Sequence, residues 1–116
     1  MAADRDQFYV QHVLEATTRI EEYTRGFDRD KFLRSSMAQD AVIRQLEIIG
    51  EAVKHLSLGF RETHPEMRWR DISGMRDKLI HDYIGVDVEA VWKTVQDDVS
   101  PLCRFARGVL EPPDQT

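Results

Sequence analysis

The chain holds a single cysteine, Cys103, among its 116 residues. That scarcity excludes an intrachain disulfide and any cysteine-based metal site, and it fits a reducing, cytoplasmic setting. No run approaches the roughly eighteen apolar residues of a membrane span, and the opening Met1-Ala2-Ala3-Asp4-Arg5-Asp6 lacks an apolar signal core. A basic excess is missing too. With a formal net charge of -5, the chain is not a broad, nonspecific nucleic-acid binder, because such proteins carry cations that neutralise phosphates. Any nucleic-acid role must rest on a local site, and no DNA partner is expected. Period-two alternation, internal repeats and low-complexity segments are likewise absent.

What remains is helical. Tyr9, Val13, Ala16, Ile20, Tyr23 and Phe27 recur at steps of four and three, with Asp4 as a candidate cap and Gly26 as a stop. A short turn of helix is expected over 28–33. Ser36 and Gln39 have capping-box spacing, and Val42, Leu46, Ile49, Val53 and Leu56 form a second stripe closing at Gly59. Residues 60–70 read as a loop with one turn, broken by His64-Pro65 and anchored by Trp69. A third helix starts at Asp71 or Ser73 and stops near Gly85. Asp87 caps the last, in which Val88, Val91, Val95, Val99, Leu102, Ala106 and Val109 keep the helical period and Pro101 introduces a kink or a new start. Cys103 falls in this apolar pattern as a core residue. The expected architecture is an all-α, up-and-down bundle of four to five helices. It forms one domain over 1–110, followed by a disordered tail over 111–116. Further apolar positions, Val10, Leu14, Ile48 and Trp92, exceed what one small bundle covers and suggest a homodimer, with a fully packed monomer as the alternative.

The chemically loaded stretch is Arg76-Asp-Lys78-Leu-Ile-His81-Asp82-Tyr83. Metal-free RNA cleavage needs a base for the ribose 2′-hydroxyl, an acid for the leaving oxygen and a cation on the phosphate. His81 suits the proton transfers, Arg76 offers a planar fork for phosphate oxygens, and Tyr83 can hydrogen-bond a phosphate or stack on a base. Arg68, Arg70, Arg76, Lys78 and His81 fall within fourteen positions, opposed there only by Asp71 and Asp77. For Arg68 and Arg70 a solvated mixed-charge face is an equal reading. At about 100° per residue, Arg76 and Tyr83 share a helix face while Arg76 and His81 stand about 140° apart. Either the helix is distorted near His81, or two copies meet across a twofold axis and share the site; the shared site is favoured.

The segment from Trp69 to Asp87, with Asp40-Ala-Val-Ile-Arg44-Gln-Leu-Glu47-Ile-Ile-Gly50-Glu51-Ala52 upstream, closely resembles the HepT-like family of HEPN-domain ribonuclease toxins. The resemblance covers nearly the whole chain apart from the proline-rich tail. It implies a homodimeric, HEPN-like helical ribonuclease, without metal or other cofactor, acting through Arg76 and His81 at a cleft between protomers. It also implies a minimal nucleotidyltransferase antitoxin as partner, which can transfer AMP to Tyr83. Lys78, Asp82, Asp40, Arg44 and Glu51 are supporting candidates, the last three either lining the cleft and buttressing Arg76 or forming plain ion pairs.

Two rival readings stand beside this one. A catalytically silent helical module that docks a nucleotidyltransferase would leave the motif unused. A di-iron bundle, suggested by Glu47, Glu51 and His55 at four-residue steps, would want a matching Glu-x-x-His helix, which the sequence lacks, so pairing of Glu51 with Lys54 or His55 is preferred.

Overall fold

The computed structural model describes residues 2–74 and 87–111, and among them there are helices and no strands. Helix α1 (Ala2–Thr24) carries Asp4 inside its first turn, where a carboxylate favours the positive end of the helix dipole; it does not cap the helix. Gly26 ends it at φ 79°, a left-handed conformation that suits glycine. Asp28 accepts from the Lys31 amide at 2.8 Å and starts α2 (Arg29–Leu33).

Three boundaries differ from the sequence expectation. The cap of α3 (Ser36–Lys54) is Ser35, whose hydroxyl accepts from the Ala38 amide at 3.1 Å. Gln39 does not reach back to the cap; its amide donates to the carbonyls of Phe32 and Leu33 at 3.0 and 3.1 Å and satisfies the end of α2. Helix α3 then stops at Lys54 instead of continuing to Gly59. Ser57 caps a new helix, α4 (Leu58–Thr63), by accepting from the Phe60 amide at 3.1 Å, so Gly59 lies within a helix. Arg61 of α4 donates to the carbonyls of Lys54 and Leu56, a cation on the open end of α3. The expected loop over 60–70 therefore holds most of α4. His64-Pro65 still acts as a stop, and a further helix, α5, is under way at 69–74, earlier than Asp71.

Asp87 accepts from the amides of Glu89 and Ala90 and starts α6 (Val88–Thr94). The helix continues without a break through a π-helical turn (Val95–Val99) into α7 (Ser100–Leu110). Pro101 lacks an N–H, and in a regular α-helix its ring would press on the carbonyl four residues back. The wider π turn just before it accommodates both, so the sequence break appears as a change of helical pitch in a continuous helix. The tail beyond Glu111 lies outside the described residues.

The core is the seam where α1 packs against α3 and α7. Val10, Val13, Ala16 and Ile20 meet Val42, Leu46, Ile49 and Val53, with Leu102, Cys103 and Ala106 closing the third side. Phe32, fully buried, brings α2 in and lies 5.1 Å from the Trp92 ring of α6. The inward stripe of α1 is thus turned from the expected one: Val10 is buried, Tyr9 is half-buried and Tyr23 is exposed. Leu14, Ile48 and Trp92 also pack against this core. The apolar surplus read from the sequence is largely covered by the chain itself and does not argue for a second copy. No helix among the described residues is long and apolar enough to cross a membrane.

One polar device fixes the ends of α1 and α3. Asp6, buried on α1, accepts from the Ser57 amide at 2.7 Å and from the Ser57 hydroxyl at 2.6 Å. The start of α1 is thereby stapled to the turn between α3 and α4, and the two long helices run antiparallel.

Candidate active site

Arg76, Lys78, His81, Asp82 and Tyr83 fall in 75–86, outside the described residues. The described residues place what leads into and out of that segment. Upstream, Trp69 is buried at the start of α5, its ring nitrogen donating to the His64 carbonyl at 2.9 Å. Its ring packs edge-on against Phe105 of α7, centroids 5.5 Å apart, and lies 5.9 Å from Phe60 of α4. This aromatic corner, anchored on two elements of the bundle, sets where α5 starts, as expected of Trp69 from the sequence. Downstream, the Asp87 cap sets where α6 begins.

The three supporting candidates on α3 are all exposed. Asp40, Arg44 and Glu51 follow at steps of four and seven, which keeps them on one outward stripe. Arg44 Nη1 lies 3.6 Å from Glu47 Oε2, a solvent-exposed pair one helical turn apart and worth little to stability. Glu51 Oε1 lies 3.4 Å from His55 Nε2, the helix-surface pairing preferred on sequence grounds. No group of three or more metal-ligating side chains occurs among the described residues.

Beside α5 a cleft of about 640 Å³ opens. The buried Leu46 and Ile49 of α3 and Val99 and Leu102 of the last helix line it, together with the exposed Arg68 and Arg70 and the exposed Asp97 and Asp98 of the π turn. Gly74, the last described residue before 75–86, also lines it. The sequence pointed to the two arginines here but not to the carboxylates that share the cleft with them. With Glu66 and Asp71 also on the wall, carboxylates outnumber guanidiniums, so the described lining is a mixed-charge surface and not a cationic groove for a phosphate chain.

The comparison with known proteins decides the family. A model described as Ribonuclease HepT-like matches residues 13–109, a span that runs from the core face of α1 to the end of α7 and includes 75–86. The chain belongs to the HepT-like ribonuclease family. Among its relatives, "Probable ribonuclease HepT" of Thermococcus cleftensis is 50% identical over 94 residues, 81% of this chain and 86% of that protein. "Putative RNase TTE0752" of Caldanaerobacter subterraneus is 38% identical over 103 residues, 89% of this chain and 92% of that protein. "Gamma-glutamylcyclotransferase and putative RNase MJ0434" of Methanocaldococcus jannaschii is 41% identical over 109 residues, which cover 94% of this chain but 49% of that longer protein. No solved structure gives a match. Membership bears out the ribonuclease class and agrees with the all-helical fold. Within the HepT-like span lie the outward stripe of α3, the aromatic corner at Trp69 and the cleft beside α5.

Proposed function

We propose that this HepT-like chain is a metal-independent RNA endonuclease, the toxin of a two-component toxin–antitoxin pair acting in the cytoplasm. The observation that carries the reading is the family match over 13–109 with Arg76, His81 and Tyr83 standing at Arg-x4-His-x-Tyr spacing inside it. Two copies share the site, because one straight helix aims Arg76 and His81 about 140° apart and a twofold axis returns both kinds of group to one cleft. One imidazole takes the proton of the ribose 2′-hydroxyl as its oxygen attacks phosphorus. The other gives a proton to the departing 5′-oxygen, leaving a 2′,3′-cyclic phosphate and a 5′-hydroxyl. Arg76 holds the phosphate oxygens as charge redistributes over them. Lys78 and Asp82 flank these groups on the same segment, and Asp40, Arg44 and Glu51 support the cleft from α3.

Tyr83 is the acceptor for neutralisation by a minimal nucleotidyltransferase antitoxin. Its phenolic oxygen attacks the α-phosphorus of ATP, pyrophosphate departs, and the tyrosyl-AMP places a bulky anion beside Arg76 where RNA phosphate would lie.

The test is cleavage of total RNA by the purified wild type beside Arg76→Ala and His81→Ala, in excess EDTA, with product ends analysed. We expect cleavage by the wild type alone, with a drop of about 10²–10⁴-fold for His81→Ala. An inactive, unmodified dimeric wild type would instead favour the silent module that docks a nucleotidyltransferase.

A further inference from the structure

A ribonuclease with a net charge of -5 gains little RNA affinity from counterion release, so its hold on a strand must come from another source. Near the start of α1, Phe8 is 56% exposed, unusual for a phenylalanine in a chain whose other apolar residues are mostly packed. It is not isolated. The His12 ring lies 4.6 Å from it and the Tyr9 ring meets it edge-on at 5.1 Å. Tyr9 in turn stacks on His55 of α3, with centroids 4.9 Å apart and planes 15° from parallel. Four rings, three on α1 and one at the C-cap of α3, thus form one surface cluster at the end of the bundle that the Asp6–Ser57 staple holds. Arg5, exposed one turn before Phe8 on the same helix face, puts a permanent cation at its edge.

Among the described residues, the other large exposed apolar side chains do not extend this patch into an oligomer interface. Tyr23 and Met37 lie at the opposite end of the antiparallel α1–α3 pair, Tyr23 about 22 Å from Phe8 along α1 and Met37 about 27 Å from His55 along α3 at the rise of an α-helix, and only Leu58 is near the Phe8 end. A stable protein interface needs roughly 1,000 Å² or more of buried surface. A single open ring flanked by the His12 imidazole, by a His55 imidazole paired with Glu51, and by Arg5 on the same helix face has the size of a seat for one base, in the way single-strand binding proteins stack bases on aromatic faces.

We propose that Phe8, with Tyr9, His12 and His55 around it, is a base-stacking platform for single-stranded RNA, built from residues other than Arg76, His81 and Tyr83. The platform rests on the ribonuclease reading. It supplies affinity that is insensitive to salt and tolerant of sequence, since every base has a π-face.

The experiment is a titration of labelled, short 2′-O-methyl oligonucleotides, which have no free 2′-hydroxyl to attack, against wild type, Phe8→Ala and Phe8→Tyr. Phe8→Ala should weaken binding by about five- to 150-fold, the range that stacking of one base spans, while Phe8→Tyr restores it. The slope of affinity against salt stays unchanged, because Phe8 neutralises no phosphate. Abasic positions in the oligonucleotide should reduce wild-type binding toward the Phe8→Ala level, which a merely structural effect would not do. Phe8→Ala binding as tightly as wild type overturns the proposal, and so does a lowered oligomeric state of Phe8→Ala in sedimentation, which would assign the ring to a second copy. Cleavage of unmodified RNA, run alongside, separates the two readings. A wild type that cleaves while Phe8→Ala binds normally removes only the platform; a wild type that neither cleaves nor binds removes the ribonuclease reading and the platform with it.

Discussion

Removing the Asp6 carboxylate should loosen the bundle at the end where α3 turns into α4. Asp6 is 6% exposed and accepts two hydrogen bonds from Ser57, at 2.7 Å from the amide and 2.6 Å from the hydroxyl. Hydrogen bonds to a charged group contribute about 1.5–3 kcal/mol each. Ser57 is half-buried, so water regains part of what Asp6→Ala takes away, and the net loss comes to about 2–3 kcal/mol. For a domain of this size that corresponds to roughly 8–12 °C in Tm. Ser57→Ala loses the hydroxyl bond to Asp6 and the cap on the Phe60 amide, the latter worth about 1 kcal/mol, but keeps the amide bond to Asp6. The double variant should therefore fall short of the sum of the singles by about 1 kcal/mol. Urea unfolding followed by circular dichroism on the four proteins measures the cycle. A loss below about 0.5 kcal/mol for Asp6→Ala would mean that the staple follows from the packing of α1 on α3 and does not help to hold it.

Two further outcomes test the interior. Thr17 is fully buried on α1, yet its hydroxyl donates only to the carbonyls of Val13 and Leu14 of its own helix. Those carbonyls keep their helical partners in Thr17→Val, so stability should change by less than about 1 kcal/mol; a loss above about 2 kcal/mol in the same unfolding assay would refute the account. Cys103 is buried and lies near Thr18 and Arg107. Its labelling by an aromatic disulfide reagent should be slow in the native protein and fast in urea, and fast labelling of the native protein would show that the α1–α7 seam opens locally.

The parts of the fold that were legible in the sequence are those set by apolar period and by strong punctuation. Gly26 and Asp87 behave as the sequence suggests, since a left-handed turn and a carboxylate cap are decided within a few residues. The end of α3 was not legible, because Leu56 continues its apolar stripe past Lys54, where the helix stops, and Ser57, held by Asp6 from far along the chain, starts a new one. The facing of α1 was misjudged for a related reason: Tyr9 and Val10 both fit a helical period, and only packing on α3 and α7 selects Val10. Of the candidate site, Arg76, His81 and Tyr83 rest on residue type and spacing and lie outside the described residues. The carboxylates that share a cleft with Arg68 and Arg70 were not legible, as Asp97 and Asp98 line it from the last helix.

The π turn at Val95–Val99 also makes a statement about lineage. An α-helix with one residue too many for its pitch absorbs the surplus there, so a relative lacking that residue can close the turn to regular pitch and keep Leu102, Cys103 and Ala106 facing inward. A one-residue deletion inside α7 would instead swing the side chains beyond it by about 100°. Length variation among descendants of this helix should therefore collect at 95–99, and a shortened copy should also lose Pro101, whose ring the wider turn shelters.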